Sequence, residues 1–227
     1  MPPTCYADII EAGHQRDRDF KIVIGNRESI RRCLIVAPHG GSIEPMTAEI
    51  ARAVADVSAR SFYLFLGRLA RNNWKALHID SISFDEPDFE ALVANTELVI
   101  SFHGKRRDRS QNVYVGGRHE EGRGLMIENL NAALQRFGVV AVDATTGKVA
   151  QSIAGLHPCN LTNRGRLGRG VQLEFSHGSR LVFSPGRNQA ERQRPSERLT
   201  VLAQTVDAVL RRLTNLPVPD RMAQGIQ

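Results

Sequence analysis

The sequence lacks the features that mark disulfide-rich, membrane-spanning or nucleotide-binding proteins. Its three cysteines, Cys5, Cys33 and Cys159, are too few and too scattered for a disulfide framework or a thiolate metal cluster. No apolar run approaches the roughly 20 residues that a bilayer span requires. No Walker A pattern is present, and the spacing of a dinucleotide fingerprint is absent from the first strand.

Residues 1–20 show no basic start followed by an apolar core, which is the pattern of a secretion signal. We therefore expect a cytoplasmic protein with no membrane partner. A role outside the cell would then need lysis or a dedicated export system.

The composition is that of an ordinary globular chain. Apolar residues make up 41% and charged residues 24% of the 227 residues, which excludes a disordered chain. This length fits one domain with a sizeable core. Because no linker or internal repeat divides the chain, we expect a single domain over 1–227, with 1–19 and 217–227 peripheral or frayed.

The formal net charge is +6 and the sequence pI is near 9.7, which favours polyanionic partners. Nucleic acid, phosphates and acidic polymers all meet this description. Arginines are concentrated between residues 106 and 123 and between 164 and 198. The simplest interpretation of the arginines from Arg187 to Arg198, and of Arg211, Arg212 and Arg221, is a solvated surface. Arginines close to glycine-rich loops are better candidates for substrate contact.

Short apolar runs alternate with segments of helical periodicity. Strands are predicted at 20–24, 33–37, 61–67, 97–102, 112–115, 139–144 and 170–176, and helices over 44–58, 87–95, 122–137 and 195–213. Asp85 is the expected N-cap of the second helix. This alternation predicts a three-layer α/β fold, a mixed and mostly parallel sheet with helices on both faces. Ligands of such sheets bind at the carboxyl ends of the strands.

The segment Leu34–Thr47, LIVAPHGGSIEPMT, is the most informative part of the chain. The apolar residues 34–37 read as a buried strand, which Pro38 is expected to end because proline has no N–H to donate. His39 then lies at the carboxyl end of that strand. Two glycines allow a turn, and Glu44 precedes a helix predicted to begin at Pro45.

A second strand, in VISFHG, ends on His103 in the same way. Two histidines and a carboxylate are a common ligand set of catalytic zinc sites, so we expect His39, Glu44 and His103 to bind Zn²⁺. Each residue alone is better explained as a hydrogen-bonded strand end or a helix-start carboxylate. The repeated His-Gly at strand ends makes the shared site the favoured interpretation. No pattern connects His78 to it.

Glu174 lies in the predicted strand GVQLEFS, on the face opposite Val171, Leu173 and Phe175. A carboxylate inside an apolar strand is costly to bury unless it has a partner or a role. One interpretation is a general base that moves a proton to the leaving nitrogen in a zinc hydrolase. The other is an edge strand in which Glu174 faces solvent, and the strand pattern does not separate the two.

The glycine-punctuated loop before this strand, CNLTNRGRLGRG, carries Asn163 and Arg164. Arginine binds carboxylates through a rigid two-donor fork. Because the loop leads directly into the Glu174 strand, Asn163 and Arg164 are the expected substrate-binding residues. An exposed basic turn is the alternative.

With these residues in view, the chain resembles the phage and bacterial poly-γ-glutamate hydrolases, zinc-dependent γ-glutamyl hydrolases with a carboxypeptidase-like core. The resemblance rests on APHGGSIEPMT, on SFHG followed by VYVGG, and on NRG…RGVQLEFS, in that order. It implies that His39, Glu44 and His103 hold zinc, that Glu174 is the catalytic base, and that an arginine stabilises the oxyanion. It also implies a polymeric, acidic substrate. Members are often labelled phage-related replication proteins, a name that no feature of this sequence supports.

Two other functions are compatible with the sequence. A zinc deacylase of small N-acyl amino acids or aminoacyl esters would use identical metal chemistry in a closed pocket. A non-catalytic, phage-derived protein that binds nucleic acid would explain the positive charge, but it would leave the paired His-Gly strand ends unexplained, so nucleic acid is the disfavoured partner. The sequence does not predict the oligomeric state or the choice between endo and exo cleavage.

Overall fold

The computed structural model describes residues 1–26, 32–146, 153–186, 188–192, 194 and 196–214. Within them, one seven-stranded sheet forms the centre of the fold, in the spatial order β1-β3-β2-β4-β7-β5-β6. The strands are β1 (Phe20–Gly25), β2 (Cys33–Gly41), β3 (Ser61–Gly67), β4 (Leu98–Lys105), β5 (Asn112–Gly116), β6 (Val140–Asp143) and β7 (Val171–Ser176).

Four of the six neighbouring pairs are parallel, and only β1–β3 and β5–β7 are antiparallel. The predicted mixed, mostly parallel sheet is therefore confirmed. The helices are α1 (Tyr6–Glu11), α2 (Thr47–Ser58), α3 (Asn73–Leu77), α4 (Pro87–Val93), α5 (Glu120–Leu134), α6 (His177–Phe183), α7 (Gln189–Arg192) and α8 (Glu197–Thr214).

Helices cover both faces of the sheet and enclose two apolar cores. In the first core, α2, α5 and α8 pack against alternate strand residues such as Ile35, Phe102 and Leu173. In the second core, α1, α3 and α4 pack against the intervening residues, such as Leu34 and Val99. Because both faces are covered, every residue of β2 is buried, as expected for an apolar central strand. The three-layer prediction is confirmed.

Strand β2 does not end at Pro38, so this part of the prediction was wrong. The strand continues to Gly41, and its register with β3 shifts between Ala37 and Gly40. Ala37 pairs with Leu64 and Gly40 with Leu66, so β2 contains one extra residue there. A bulge accommodates a residue that cannot donate to the ladder, which explains how Pro38 is tolerated inside the strand.

The next helix also differs from the prediction, because α2 begins at Thr47 rather than at Pro45. Met46 adopts a left-handed conformation with φ of 81°, which is incompatible with continuing a helix through it. Gly41 has φ of 67°, and a Cβ there would lie 2.5 Å from the carbonyl oxygen of Gly67. The turn that carries Glu44 is therefore fixed by backbone geometry at both ends.

The ends of the other predicted elements lie within a few residues of their predicted positions, whereas α1, α3, α6 and α7 were not predicted. Helix α5 begins at Glu120, and its last predicted turn is a 3₁₀ turn, Gln135–Phe137, closed by Gly138 with φ of 72°. Helix α1 places Ile9 in the second core. Residues 217–227, expected to be frayed, lie outside the described residues. No helix in the described ranges is long and apolar enough to cross a membrane.

The N-cap of α4 is Glu86, not Asp85 as predicted. The Glu86 carboxylate accepts hydrogen bonds from the Phe89 N–H at 3.0 Å and from the buried Tyr63 hydroxyl at 2.8 Å. Asp85 instead accepts the Tyr6 N–H at an exposed position. The neighbouring acids therefore have different roles: one caps a helix inside the second core, and the other attaches α1.

We expect Glu86→Ala to lower the free energy of unfolding by about 1–3 kcal/mol, because it removes a helix cap and leaves the Tyr63 hydroxyl without an acceptor. Asp85→Ala should cost less than about 1 kcal/mol. Denaturant unfolding of both variants measures the difference. Equal losses would show that Glu86 is not the structural acid of this pair.

Candidate metal centre

His39 and His103 lie at the carboxyl ends of β2 and β4, which are adjacent and parallel. The bulge in β2 decides which face His39 occupies. Without the extra residue, His39 would share the face of Ala37 in the first core, because side chains alternate along a strand. With it, His39 shares the face of His103, and the Nδ1 atoms of the two rings lie 3.3 Å apart.

Glu44 reaches the two rings from the turn after β2. Its N–H donates to the His39 carbonyl oxygen at 2.8 Å, which folds the turn back over the strand end. Its carboxylate oxygens lie 3.4 Å from His39 Nδ1 and 4.0 Å from His103 Nδ1. One of these oxygens also accepts the Gly104 N–H at 2.8 Å. The three side chains predicted as metal ligands are thus neighbours at the strand ends.

The chemistry of this cluster fits a divalent cation. His39 Nε2 lies 2.8 Å from the Ile79 carbonyl oxygen, which only accepts, so Nε2 carries a proton and in the neutral ring Nδ1 presents its lone pair to the cluster. Burial, together with the neighbouring His39, lowers the pKa of His103 to about 3, which keeps its ring neutral. His103 Nε2 is buried without a hydrogen-bond partner. Donors bound at about 2.0–2.1 Å to a tetrahedral ion lie about 3.3 Å apart. The two separations from His39 Nδ1, 3.3 Å and 3.4 Å, match this value, and the 4.0 Å from His103 Nδ1 to Glu44 is longer.

The carboxylate of Glu44 is held in its ionised form. Burial opposes ionisation, but the interactions of the carboxylate with His39, His78 and His103 outweigh it, so the pKa of Glu44 is well below its usual value. An ionised carboxylate is the form that binds a metal.

His78, which the sequence analysis did not connect to the site, lies beside these residues. Its ring stacks on His39 with 4.0 Å between centroids, and its Nε2 is 3.7 Å from a Glu44 oxygen. Among the described residues, the group whose ligand atoms all lie within 4.8 Å of one another, as a metal site requires, is His39, Glu44 and His78. His78 follows α3, where no strand end or regular spacing marks it. The available signal was Trp74, four residues earlier, whose ring packs 5.0 Å from that of His78.

Glu174 is buried in the middle of the sheet, next to the cluster. Strand β7 lies between β4 and β5, and Glu174 is in register with His103 on one side and Tyr114 on the other. The alternative of a solvent-facing edge strand was therefore wrong. Burial raises the pKa of Glu174 well above its usual value, and the negative charge of Glu44 adds to this effect. Such a carboxyl group can take up and release a proton close to the cluster.

Arg180 on α6 is the second residue that sequence reasoning missed. Its guanidinium is buried and donates to the Pro45 carbonyl oxygen at 2.9 Å and to that of Lys105 at 3.3 Å, while its Nε has no partner. A Cβ on Gly104 would lie 2.8 Å from this guanidinium, so the glycine after His103 makes room for it. The positive charge of Arg180 opposes the rise in the pKa of Glu174. A basic residue one helical turn after the Glu174 strand was the available sequence signal.

Asn163 and Arg164, the residues expected to bind substrate, make contacts within the protein. The Asn163 amide accepts the N–H groups of Arg118 and Gly170 and donates to the carbonyl oxygens of Gly155 and His157. Arg164 pairs with Glu90 and donates to the Phe84 carbonyl oxygen.

The chain then runs beside the start of β4, since the N–H groups of Arg166 and Leu167 donate to the carbonyl oxygens of Thr96 and Glu97. This segment leads into the amino end of β7, whereas the cluster lies at the carboxyl ends of the strands. Substrate binding by Asn163 and Arg164 stays a prediction, and the observed contacts give both residues a structural role.

The mostly parallel α/β sheet, with the cluster at its strand ends, has a carboxypeptidase-like fold. A Shewanella denitrificans structure assigned to carboxypeptidase A shares this fold at 12% identity and a TM-score of 0.50, over 87% of this chain and 61% of that chain. The chain belongs to the poly-gamma-glutamate hydrolase family, whose sequence profile matches residues 6–207.

Two solved structures are much more similar. A bacteriophage poly-gamma-glutamate hydrolase has a TM-score of 0.82 at 28% identity and covers 95% of this chain and 99% of its own. A zinc-free apo form of YndL has a TM-score of 0.77 at 28% identity, covering 92% and 96%.

Among curated relatives, YmaC of Bacillus subtilis (strain 168) is 33% identical over 172 residues, which is 76% of this chain and 68% of YmaC. YndL of the same organism is 35% identical over 162 residues, 71% of this chain and 59% of YndL. The chain thus spans about two thirds or less of the length of these two relatives.

The two histidines next to His39, His103 and His78, are expected to affect metal affinity to different extents. Loss of a ligand should weaken binding more than loss of a neighbour that only orients ligands, which typically contributes about 10- to 100-fold. We expect His103→Ala to weaken divalent-metal binding more than about 100-fold, and His78→Ala about tenfold. Competition titrations against a chromophoric chelator measure both values, and the reverse order would identify His78 as the ligand.

Proposed function

We propose that this protein hydrolyses γ-glutamyl amide bonds of poly-γ-glutamate with Zn²⁺ held by His39, Glu44 and His103 and with Glu174 as the general base. The observation that carries the proposal is a pair of imidazole nitrogens 3.3 Å apart, each within 4.0 Å of a Glu44 carboxylate oxygen, beside a buried carboxyl group in a member of this family.

Zinc is supported over other divalent ions by two observations. The donor set is two imidazole nitrogens and one carboxylate, which is a common catalytic zinc set. The YndL structure is described as a zinc-free apo form, so zinc is the metal named for a close structural relative. When bound, zinc supplies Lewis-acid chemistry, in which a carbonyl is polarised and the pKa of water is lowered.

Glu174 supplies the proton transfers. Amide hydrolysis needs a group that accepts a proton from the attacking water and then delivers it to the departing nitrogen. A carboxyl group with a raised pKa serves both steps, because its ionised and protonated forms are closer in free energy at neutral pH. Arg180 and Lys105 stabilise the ionised form that begins the cycle, and Glu44 disfavours it.

The remaining residues of the site orient these groups. The Ile79 carbonyl oxygen fixes the His39 ring by accepting from Nε2, and the Gly104 N–H fixes the Glu44 carboxylate. The γ-linked substrate carries one free α-carboxylate per residue, and the positive net charge of the protein favours its approach.

Replacement of Glu174 by Gln keeps the shape of the side chain and removes its ability to carry a proton. We expect kcat on poly-γ-glutamate to fall by about 10²- to 10⁴-fold. Metal content of the same preparation, measured by atomic absorption, should equal that of the unmodified protein. A variant with full zinc and activity within about tenfold of the parent would remove Glu174 from the mechanism.

Removal of the metal tests the rest of the proposal. Chelator-treated protein should release no glutamyl products from poly-γ-glutamate, and stoichiometric Zn²⁺ should restore the release. Size-exclusion chromatography of the products, with short N-acyl amino acids assayed in parallel, separates polymer hydrolysis from deacylation. Hydrolysis of the short substrates alone would instead support the deacylase, and salt-sensitive DNA binding without any hydrolysis would support the nucleic-acid-binding alternative.

A further inference from the structure

A cleft of about 710 Å³ lies beside the candidate metal centre. Its walls are the turn around Glu44, the first turn of α3, the two residues Arg106 and Arg107 that follow β4, and α6. The segment after β2 carries Glu44. The segments after β4 and β7 follow closely on His103 and Glu174. We call this space the basic cleft. Its volume is in the range of pockets that hold ligands of several residues.

The charge of the basic cleft has one sign. Five of its lining residues are cations, and none is an aspartate or a glutamate; the cations are Lys75, Arg106, Arg107, Arg180 and Arg192. A second cleft of about 740 Å³, between α2, α8 and the β1–β3 edge of the sheet, mixes arginines with Glu49 and Asp56. Only the first of these two clefts therefore has the charge pattern of a polyanion site.

Three cations of the basic cleft are available to a ligand. Within the described ranges, Lys75, Arg106 and Arg107 are exposed, and no carboxylate lies within ion-pair distance of them. The Arg106 guanidinium packs over the Trp74 ring at 5.4 Å from its centroid, an arrangement that restricts its motion and reduces the entropy lost on binding. Arg107 adopts φ of 62°, which directs the chain out of β4 at this point.

We propose that the basic cleft binds the free α-carboxylates of glutamyl residues next to the cleaved γ-glutamyl bond, with Arg106 and Arg107 as the main contacts. The identity of the ligand rests on the proposed function. In a γ-linked chain every amide joins a side-chain carbonyl to the next nitrogen, so each residue keeps one α-carboxylate. Arg106 and Arg107, three and four residues after His103, supply two fork-shaped donors for these carboxylates.

Binding and cleavage are measured separately to test this assignment. In the Glu174→Gln background, which keeps the polymer intact, labelled poly-γ-glutamate is titrated by fluorescence anisotropy at low salt. We expect Arg106→Ala/Arg107→Ala to weaken binding about tenfold and to reduce its dependence on salt. Arg106→Lys/Arg107→Lys should retain most of the affinity. Because both side chains are exposed, the variants should unfold at the same temperature as the parent.

The matched control removes the same charge from the opposite edge of the sheet. Arg166 and Arg169 are exposed in the loop before β7, and Arg166→Ala/Arg169→Ala should bind the polymer within about twofold of the parent. An equal loss in both double variants, or no loss in Arg106→Ala/Arg107→Ala, would overturn the assignment. A DNA strand of equal charge that binds the cleft more tightly than poly-γ-glutamate would overturn it as well.

Failure of the proposed function gives a different result. If zinc-loaded unmodified protein leaves poly-γ-glutamate intact while Arg106 and Arg107 still account for its binding, the hydrolase proposal fails and the basic cleft stands. If the polymer is cleaved with unchanged KM in Arg106→Ala/Arg107→Ala, the cleft assignment fails and the hydrolase proposal stands.

Discussion

The candidate centre depends on one extra residue in β2. Strands β2, β4 and β7 are parallel neighbours, so their carboxyl ends meet at one edge. Parallel alignment alone would still leave His39 facing the first core, on the side of Ala37. The bulge between Ala37 and Gly40 turns His39 to the face that carries His103 and Glu174. Gly40 confirms the alternation, since a Cβ there would meet Ala48 of α2 in the first core.

The same geometry brings two carboxyl groups and several imidazoles into a buried space, and their pKa values separate as a result. Hydrogen bonds and nearby histidines favour the ionised form of Glu44, whose charge in turn disfavours ionisation of Glu174. Divergent environments of this kind distinguish a group that binds a cation from one that exchanges protons. The burial of these charges is tolerated because Arg180 is buried with them and is held by two backbone carbonyl groups.

The sequence predicts those parts of the fold and site that produce a pattern in neighbouring residues. Apolar runs located all seven strands, and the repeated His-Gly located two strand ends. The one-residue bulge was not predictable, because Pro38 has the same sequence signature at a strand end as at a register shift. The N-cap of α4 was not predictable for the same reason. Asp85 and Glu86 are both acidic and equally suitable as caps, and only the position of the Tyr63 hydroxyl makes Glu86 the cap.

Residues brought to the site by long-range packing were missed for a related reason. His78 reaches Glu44 through the path of the chain after α3, and Arg180 reaches the site through the gap left by Gly104. The neighbouring Trp74 and the position of Arg180 one turn after β7 do not by themselves show that these side chains reach the cluster. Conversely, Asn163 and Arg164 are near Glu174 in sequence but precede β7, so the length of the strand separates them from its carboxyl end. Closeness in sequence identifies a neighbour in the site only when the residue follows the strand.

This rule also explains why the cluster and the basic cleft belong to one unit. The residues of both features lie close in sequence to the same strands. Glu44 follows the end of β2, Arg106 follows the end of β4, and Arg180 is six residues after Glu174 in β7. A chain segment that leaves a strand end at the cluster has little length in which to diverge before it forms a wall of the cleft. The proposed substrate contacts and the proposed metal ligands are therefore positioned by the same three strand ends. A change in the β2 bulge would displace Glu44 together with Pro45, whose carbonyl oxygen holds Arg180, so the cluster and the cleft would be disturbed together.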